Sequence, residues 1–230
     1  MTSRDELKRA AAMRAIEEVE DGMVVGLGTG STAAFVVEGL GERVAKGLKV
    51  VGIPTSERTA AQARRLGIPI ATFAEYQRLD LTIDGADEVQ LGTLDLIKGL
   101  GGALLREKIV AAASDRLVIV VDQEKLVEQL GEHTPVPVEV TQFGWQATAV
   151  ALEKLGCAPE RRYAAGEQPF ITDGGNYILD CRFGPLADPA AVEKSIAMTV
   201  GTVESGLFVG RSSIVVVAST TGIEVLTPPR

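Results

Sequence analysis

The stretch from residue 80 to residue 108 concentrates side chains that could do acid–base chemistry. Two carboxylates, Asp84 and Asp87, follow a short apolar run, and Lys98 follows another. A glycine-rich loop comes next, and then a helix-like segment that carries Glu107. A positioned carboxylate can move a proton, and a lysine can stabilise an oxyanion as it develops. The stretch therefore predicts a site that transfers protons on a small anionic substrate.

Each acidic residue in this stretch also has a plainer interpretation. Aspartates in a turn often cap backbone N–H groups, and Glu107, between two basic residues, could be an exposed helix residue. Two carboxylates that lie close together can instead split their pKa values, so that one of them holds a proton near neutrality. Metal binding by Asp84, Asp87 and Glu88 is a third alternative, but no further ligand spacing supports it.

Lys98 is a more specific signal than the carboxylates. The loop that follows it contains three glycines, Gly99, Gly101 and Gly102. Glycines allow a backbone to approach a ligand closely, and a lysine beside them supplies a charge for an oxyanion. The pattern therefore favours a role for Lys98 in oxyanion stabilisation.

A second glycine-rich segment, residues 26–32, overlaps and follows the apolar run Met23–Leu27, which predicts a buried strand. Ser31 and Thr32 start a helix there, and N–H groups at a helix N-terminus with hydroxyls beside them suit a phosphate. The segment lacks the GxxxxGK[ST] pattern of a nucleoside-triphosphate loop, and its glycines are spaced GxGxG rather than GxGxxG. The next strand does not end in a ribose-binding acid. A loop that merely closes a strand–helix turn is the structural alternative.

Strand-like and helix-like segments alternate through the first half of the chain, which predicts an α/β fold with a doubly wound, mostly parallel, Rossmann-like sheet. Short strands are expected at Ile68–Ala71 and in a run that ends at Ile83. Ligands in such folds collect at the carboxyl ends of strands. The glycine segment, the Thr55-Ser56 pair, the aspartates and the Lys98 loop all follow strand-like runs, so we expect them to converge.

The second half of the chain has a different character. The proline-bearing segment His133–Val140 predicts a linker that leads into an edge strand, and Asp173–Asn176 predicts a hairpin turn between the runs PFIT and YILDCRF. A helix is expected over Pro189–Met198, and the apolar run Ser213–Ala218 is expected to rejoin the main sheet. A small α+β domain is therefore inserted near the C-terminal end. The predicted domains are a catalytic domain over residues 1–132 and 207–230, and the small domain over residues 133–206.

Charge and composition exclude several classes of function. The 230-residue chain has a formal net charge of −8 at pH 7, which argues against a nucleic-acid backbone as a partner. No apolar run approaches the length of a membrane span, and the charged N-terminal segment lacks the apolar core of a signal peptide. We therefore expect a soluble, cytoplasmic protein without a membrane or nucleic-acid partner.

Cys157, Cys181 and the single histidine, His133, are weak candidates for chemistry. The cysteines lack CxxC spacing; one disulfide is possible, but two reduced thiols are favoured. No GxSxG or HExxH motif supports His133 as a base, and its spacing to the cysteines matches no known metal site. Acid–base chemistry in this chain would therefore fall to carboxylates.

Several segments resemble, in order and spacing, the type A ribose-5-phosphate isomerase family. They are GLGTGSTAAFVVE from residue 26, TSERT from 55, TIDGADEV from 82, LIKGLGGALLREKIVA from 96 and PVPVEV from 135. The resemblance covers nearly the whole chain. It implies reversible interconversion of D-ribose 5-phosphate and D-ribulose 5-phosphate through an enediolate, in the non-oxidative pentose phosphate pathway, with no metal or cofactor.

The resemblance also implies roles for individual residues. Glu107 would carry a proton between C1 and C2, and Asp84 would assist ring opening and proton exchange on the sugar oxygens, with Asp87 nearby. Lys98 and the loop amides would stabilise the developing oxyanion. One departure is Leu100, which stands where the family has a glycine and raises the question of how closely the backbone there approaches the sugar. The residues implied in substrate binding are Lys8, Thr29, Gly30, Ser31, Thr32, Gly85, Ala86, Gly99, Gly101 and Lys125.

The resemblance further suggests a homodimer or homotetramer, with the small domain at the interface. Two other functions stay open. Another sugar-phosphate isomerase or a deaminase could use the same sheet, and amine release would identify the deaminase. A sugar-phosphate sensor would bind without turnover, but such regulators usually carry a DNA-binding domain, for which the segment before Met23 leaves no room. A purely structural protein would not require Lys98 and Glu107 in this arrangement.

Overall fold

The computed structural model describes residues 3–229, and the chain divides into two compact units. The first unit contains residues 3–86, 106–125 and 211–229, and the second contains residues 87–105 and 126–210. Parts of the predicted catalytic domain thus belong with the second unit. The reason is that these parts supply the strands of one small sheet. They are residues 87–105, 126–132 and 207–210.

Helices and strands alternate along much of the described chain. The helices are α1 (Arg4–Ala15), α2 (Ser31–Ala45), α3 (Glu57–Arg65), α4 (Leu104–Ala112), α5 (Trp145–Glu153) and α6 (Pro189–Ala197). The strands are β1 (Val24–Leu27), β2 (Val51–Pro54), β3 (Leu81–Gly85), β4 (Glu88–Gln90), β5 (Leu96–Ile97), β6 (Leu117–Asp122), β7 (Leu126–Val127), β8 (Val136–Val140), β9 (Ala158–Arg161), β10 (Tyr177–Arg182), β11 (Thr202–Ser205), β12 (Leu207–Phe208), β13 (Ile214–Ser219) and β14 (Gly222–Leu226). Short 3₁₀ turns cover Ile16–Glu18 and Gln123–Lys125.

The first unit is built on a sheet whose strand order, within residues 3–229, is β14-β13-β6-β3-β1-β2. Its pairs are parallel except for β13 with β14, which confirms the mostly parallel sheet and the return of the last apolar run beside β6. Every residue of β6 is buried, as expected for a strand covered on both faces. The strand predicted at Ile68–Ala71 is wrong. Only Ile70 makes a single bridge, to Gly52, because Pro69 has no N–H with which to extend a ladder.

Helices cover both faces of this sheet. On one face α1 and α2 pack against residues that alternate along the strands, such as Val25, Leu81 and Val118. On the other face Val110 of α4 packs against the side chains of Val24, Ile53 and Leu79. Side chains of a strand alternate between faces, so each strand contributes to both cores. The doubly wound arrangement follows from this alternation.

Capping residues fix where several helices begin. Ser3 and Glu6 form a capping box at the start of α1, in which each side chain accepts the other residue's backbone N–H. Ser56 caps α3, and Asp188 caps α6 just before Pro189. These side chains satisfy N–H groups that have no partner inside the helix. Local sequence therefore sets these boundaries.

The second unit contains a sheet with strand order β11-β8-β10-β9 and the small sheet with order β12-β5-β4-β7. The predicted edge strand at the proline-bearing segment is wrong, since β8 lies inside its sheet and all its residues are buried. Pro137 is tolerated there for a local reason. Its carbonyl accepts from the Gly206 N–H (2.7 Å), beyond the end of β11. The N–H that proline lacks is therefore missing on the side where the ladder already ends.

The predicted turn at Asp173–Asn176 is present, but the hairpin around it is not. Within the described chain, PFIT forms no strand and makes only a single bridge, from Pro169 to Tyr163. Instead β10 pairs with β8 on one side and β9 on the other. Because β9 contains Pro159 and is only four residues long, its pattern did not indicate a strand.

The two cysteines are free and buried. Their thiols interact, and the hydrogen bond with Cys157, together with burial, raises the pKa of the Cys181 thiol. Among residues 3–229, no three His, Cys, Asp or Glu side chains are grouped as a metal site would require. In the same part of the chain, no helix is both long and apolar enough to span a membrane.

Candidate active site

Asp84 lies at the carboxyl end of β3, inside the strand rather than after it. The strand was expected to end at Ile83, but pairing with β6 continues through Gly85. Asp84 projects from the same face as Thr82, the face that α4 covers. Asp84 is 1% exposed, and its Oδ1 accepts hydrogen bonds from the N–H groups of Thr29 (3.0 Å) and Gly85 (2.8 Å). The carboxylate is therefore held in one orientation.

The close approach of Asp84 requires a glycine at position 28. A Cβ added to Gly28 would lie 2.2 Å from Asp84 Oδ1 and 2.6 Å from Asp84 Cα. The Gly28 N–H also donates to the Ile83 carbonyl at 3.0 Å. The ends of β1 and β3 are therefore locked together where the glycine segment begins.

Four buried hydroxyl groups, from Thr29, Thr55, Ser56 and Thr59, form a hydroxyl cluster beside this segment. The distances from Thr29 Oγ1 are 2.7 Å to Thr55 Oγ1, 2.7 Å to Ser56 Oγ and 3.1 Å to Thr59 Oγ1. Thr59 Oγ1 also donates to the Gly28 carbonyl at 3.0 Å. The predicted convergence of the glycine segment with Thr55 and Ser56 is thus confirmed. Thr59 was missed, although its spacing three residues after the α3 cap was the available signal.

The hydroxyl cluster changes what Thr29 can do. Its hydroxyl is bonded within the cluster, and its N–H is donated to Asp84. Thr29 therefore orients the loop rather than reaching outward with its side chain. The groups left to meet an anion in this segment belong to Gly30, Ser31 and Thr32.

Gly30, Ser31 and Thr32 open α2, a helix of 15 residues. Gly30 is the N-cap and has a φ of +124°, in the region that favours glycine. Ser31 is exposed and Thr32 is half-buried. Alanines complete the first turn, so its side chains carry no negative charge. The positive end of the helix dipole and these hydroxyls can together bind a phosphate.

Glu107 lies in the first turn of α4, which confirms the predicted helix. This helix runs antiparallel to the strands, because beyond its last turn the Ala113 carbonyl accepts from the Leu79 N–H before β3 (2.9 Å). Val110, one turn after Glu107, contacts β1 at Gly26. A Cβ added to Gly26 would lie 2.6 Å from Val110 Cγ1.

This packing determines which way Glu107 faces. Residues three apart share a helix face, so Glu107 points toward the sheet as Val110 does, about 4.5 Å nearer the carboxyl ends of the strands. Glu107 is 3% exposed. Asp84 projects from the same face of the sheet at the carboxyl end of β3. The first unit therefore brings both carboxylates to one side of the sheet, at the same end.

Lys8 and Lys125 belong to elements that border β6. Lys125 is half-buried in the 3₁₀ turn after β6, and Lys8 lies one turn into α1. Arg4, at the start of α1, donates from Nε to Asp122 Oδ2 at the end of β6 (3.1 Å). This hydrogen bond, and the charge of the carboxylate, raise the pKa of the Arg4 guanidinium.

In the second unit, Lys98 follows β5, a strand of two residues. It was expected after a strand of the parallel sheet, which is wrong, because β5 pairs antiparallel with β4 and β12. A strand this short shows no periodicity that would reveal its partners. Lys98 is 2% exposed, its N–H donates to the Gly206 carbonyl (2.8 Å), and Nζ lies 5.5 Å from the centre of the Phe208 ring.

Residues 98–102, here called the lysine loop, take a shape that glycines permit. Gly99 has a φ of +101° and Gly102 a φ of +82°. Leu100 does not share this left-handed conformation, its N–H donates to Asp87 Oδ2 (2.9 Å), and its side chain is exposed. Gly101 is exposed as well. The leucine that replaces the family glycine is therefore accommodated without backbone strain.

Gly85 and Ala86 are half-buried and end the first segment of the first unit. The Gly85 N–H helps to orient Asp84. Asp87 is the next residue and begins the second unit, where its N–H donates to the Ile97 carbonyl (2.8 Å). Asp87 thus uses its backbone to join the small sheet and its carboxylate to hold the lysine loop.

Glu88 has a structural role that the sequence did not reveal. Its carboxylate accepts hydrogen bonds from the N–H groups of Gly131 (2.6 Å), His133 (2.7 Å) and Thr134 (2.6 Å). The side chain is buried. A carboxylate that accepts three backbone donors fixes a loop, so this geometry favours a structural interpretation over a metal ligand.

Comparison with known proteins decides the family. A family model described as ribose 5-phosphate isomerase A (phosphoriboisomerase A) matches residues 51–222. The chain belongs to this family. A ribose-5-phosphate isomerase A of Gloeobacter violaceus is 69% identical over 224 residues, which cover 97% of this chain and 97% of the relative.

Solved structures of the family agree with this assignment. Ribose 5-phosphate isomerase A of Methanocaldococcus jannaschii has a TM-score of 0.94 at 41% identity, covering 98% of this chain and 100% of that chain. A D-ribose-5-phosphate isomerase in complex with phospho-erythronic acid has a TM-score of 0.94 at 38% identity, covering 98% and 99%. The α/β fold expected from the sequence is confirmed. The reaction of the chain is the interconversion of ribose 5-phosphate and ribulose 5-phosphate, an aldose–ketose isomerisation.

Proposed function

We propose that this isomerisation runs through an enediolate, with Glu107 as the base that carries a proton between C1 and C2. Proton transfer next to a carbonyl needs a positioned base, and a carboxylate can serve. The burial of Glu107 and its direction toward β1 support this role. Asp84 assists ring opening and proton exchange on the sugar oxygens, and Asp87 is assigned to the same step.

The phosphate of the substrate binds at the start of α2, through Gly30, Ser31 and Thr32. Thr29 orients this loop, and Lys8 and Lys125 supply positive charge to the phosphate. The family resemblance supports the two lysines, and the helix N-terminus supports the loop. The further contacts that we propose for the sugar are made by Gly85, Ala86, Gly99 and Gly101.

Lys98 and the amides of the lysine loop stabilise the oxyanion of the enediolate. A buried ammonium acts on a developing negative charge more strongly than an ammonium in water does. The 2% exposure of Lys98 and the conformations of Gly99 and Gly102 support this role.

The bond between Asp84 and the glycine segment carries the proposal. In a pentose 5-phosphate the phosphate is on C5, and the reacting carbons are at the other end of the chain. An isomerase must therefore hold its phosphate-binding site and its acid–base groups at a fixed distance from each other. The hydrogen bond from the Thr29 N–H to Asp84 Oδ1, which ties Asp84 to the glycine segment within the first unit, supports such a spacing.

We further infer that the enzyme is a cytoplasmic homodimer or homotetramer that needs no metal or cofactor. It would act in the non-oxidative pentose phosphate pathway, with the small domain at the subunit interface. The family resemblance supports each of these inferences. Light scattering on the purified protein would measure the oligomeric state, and a monomeric mass would contradict it.

Proton NMR in heavy water tests the chemistry. Ribose 5-phosphate would be added, with a chelating agent, to the natural protein and to Glu107→Gln. We expect ribulose 5-phosphate carrying deuterium at the exchanged carbon from the natural protein, and at least about 10³-fold slower turnover from the variant. The matched control is Glu42→Gln, which removes an exposed carboxylate from α2 and should leave turnover unchanged.

Other outcomes of this experiment decide between the remaining possibilities. Binding without turnover by the natural protein would reject the isomerase and favour a sensor. Equal turnover by the natural protein and Glu107→Gln would keep the enzyme but assign the base elsewhere, with Asp84→Asn as the next variant.

A further inference from the structure

A single arginine in the second unit holds the backbone of the lysine loop. Arg162 follows β9 directly, and one of its terminal nitrogens donates to the carbonyl oxygens of Gly99 (2.9 Å) and Leu100 (3.1 Å). These two carbonyls belong to consecutive peptide groups. The guanidinium therefore fixes two of the peptide planes that form the loop.

Arg162 is itself held in place by Asp180 on β10. Its Nε donates to Asp180 Oδ2 at 2.9 Å, and the second terminal nitrogen pairs with Asp180 Oδ1. The side chains are 12% and 20% exposed, respectively. A two-bonded guanidinium–carboxylate pair has one preferred geometry, so the third donor of Arg162 is aimed by the other two.

The lysine loop is restrained from other directions as well. The Leu100 N–H donates to Asp87, so the Gly99–Leu100 peptide is held at its carbonyl by Arg162 and at its N–H by Asp87. Phe170 packs against Gly102, where an added Cβ would lie 2.3 Å from Phe170 Cζ. Little freedom is left for the segment between these contacts.

The planar trans peptide turns this restraint into an orientation. The carbonyl of Leu100 and the N–H of Gly101 belong to the same peptide group and point in opposite directions. When Arg162 binds the Leu100 carbonyl, it therefore aims the Gly101 N–H away from itself. Gly101 is exposed, so this N–H is accessible to a ligand.

We propose that Arg162 is a positioning residue for the isomerisation, and that it acts by aiming the Gly101 amide at the oxyanion of the enediolate. The proposal rests on the function proposed above for the lysine loop. In this role Arg162 acts through the loop and not directly on the substrate. Asp180 pairs with its charge, and its other terminal nitrogen donates to the two loop carbonyls. Asp180 holds the Arg162 guanidinium in the orientation that this role requires.

Steady-state kinetics of Arg162→Lys and Arg162→Ala test the proposal. A lysine keeps the positive charge beside Asp180, but it cannot hold the carboxylate in a fork and still reach both carbonyls. We expect kcat to fall about 10-fold in Arg162→Lys and about 100-fold in Arg162→Ala, with KM within about threefold, because misplacing a group by about 1 Å can cost about 10² in rate. Asp180→Asn should give an effect no larger than that of Arg162→Lys.

Arg161, the last residue of β9 and the direct neighbour of Arg162, offers a matched control. Its guanidinium lies over the rings of Trp145 (4.6 Å) and Tyr163 (4.9 Å) rather than against the loop. Arg161→Lys should leave kcat within twofold of the natural value. A loss equal to that of Arg162→Lys would indicate a general disturbance of the second unit and would overturn the positioning role.

Inhibitor binding separates positioning from folding. Phospho-erythronic acid carries a carboxylate whose charged oxygens resemble an enediolate oxyanion. Its binding should therefore depend on the aimed amide more than the binding of ribose 5-phosphate does, because the C1–C2 end of the sugar is uncharged. We expect its affinity to fall about 10-fold in Arg162→Lys while the substrate KM changes little. Millimolar guanidinium chloride should restore part of the activity of Arg162→Ala.

The outcomes are distinguishable. If the natural protein shows no turnover, the proposed function fails and not the positioning role. If it turns over and folded Arg162→Lys keeps its kcat and inhibitor affinity within twofold, the positioning role is overturned. Should Arg162→Ala fail to fold, Arg162→Lys and Asp180→Asn give the decision.

Discussion

The glycine segment and the lysine loop are held by the same kinds of hydrogen bond, but the side chains that donate to them differ in chemistry. In each, an aspartate accepts an N–H of the loop: Asp84 from Thr29 in the glycine segment, and Asp87 from Leu100 in the lysine loop. In each, a side chain donates to a backbone carbonyl. The donor is the hydroxyl of Thr59 in the first case and the guanidinium of Arg162 in the second.

The difference follows from what lies beneath each loop. The glycine segment leaves a strand in the middle of a parallel sheet, and buried neutral hydroxyls suffice to complete its shape. The lysine loop leaves a strand of two residues in a small sheet, so the ladder beside it is short. A stronger, charge-assisted donor replaces the missing ladder. The comparison predicts that the first loop depends mainly on close packing and the second on charge.

Among the variants that test this comparison, the largest effect is expected from Lys98→Met, which removes the positive charge of the lysine loop. We expect kcat to fall about 10²–10³-fold, as for the loss of one donor to a developing oxyanion. Stopped-time assays with ribose 5-phosphate measure it, and thermal unfolding checks the fold. Lys154→Met, at an exposed position at the end of α5, is the control. A loss of kcat below fivefold would show that the charge of Lys98 is not the main contribution of this loop to the reaction.

Packing in the glycine segment is tested by Gly28→Ala, with Gly102→Ala in the other loop as its counterpart. The new Cβ at 28 would meet the Cα of Asp84, which cannot move without breaking β3, so we expect unfolding to become easier by about 3 kcal/mol. At 102 the obstacle is the end of the Phe170 ring, and the left-handed backbone adds a cost of about 1–2 kcal/mol. Urea unfolding measures both. Equal losses would contradict the idea that the first loop is the more tightly packed.

The hydroxyl cluster is tested by Thr59→Val, which keeps the shape of the side chain and removes its donor. The Gly28 carbonyl then loses a buried partner, at a cost of about 1–2 kcal/mol in the free energy of unfolding. Thr221→Val, at an exposed turn, should change it by less than about 0.5 kcal/mol. If Thr59→Val were as harmless as Thr221→Val, neutral hydroxyls would not hold the loop.

The smallest effect is expected from an ion pair outside both loops, between Arg116 and Glu18. Its contribution to stability is a reference for that of the more buried pair between Arg162 and Asp180. Arg116 donates to Glu18 at 2.5 Å, and this bond lowers the pKa of the Glu18 carboxyl below its ordinary 4.5. A lowered folded pKa gives stability that is present above about pH 4.5 and is lost as pH falls through the folded pKa. The pair is partly exposed, so we expect less than about 1 kcal/mol.

Acid unfolding of Glu18→Gln measures this contribution. The variant should unfold more easily than the natural protein at pH 6, and this difference should shrink as the pH falls below about 4.5, whereas Glu42→Gln should follow the natural protein throughout. A difference that persisted at low pH would assign the effect to packing rather than to charge.

The sequence predicted the first loop better than the second, for a physical reason. Strand periodicity, the glycines and the cap at Ser56 are local signals, and parallel strands bring their carboxyl ends to one edge. The convergence of the glycine segment, the Thr55-Ser56 pair and Asp84 therefore followed from the pattern. Only the exact end of β3 and the contribution of Thr59 were missed.

The lysine loop depends on long-range contacts that local sequence patterns do not predict. Arg162 lies 62 residues after Leu100 along the chain, and an arginine directly after a strand is unremarkable by itself. The partners of β5 could not be read from two residues, and Pro137 wrongly indicated an edge strand because its missing donor is tolerated where β11 ends. Sequence identified Lys98 as a candidate but could not show what holds it.

The position of β13 in the first unit has a consequence for how the protein is made. Its partner β6 is complete when synthesis reaches residue 122, but β13 is finished only at residue 219. Until then the edge of β6 on that side, an apolar run of leucine, valine and isoleucine, has no strand to pair with. An unpaired apolar edge invites pairing with another nascent chain. A messenger RNA that is truncated before the codons of β13 would therefore yield a product prone to aggregate. Chaperones that shield this edge during translation should raise the yield of active enzyme.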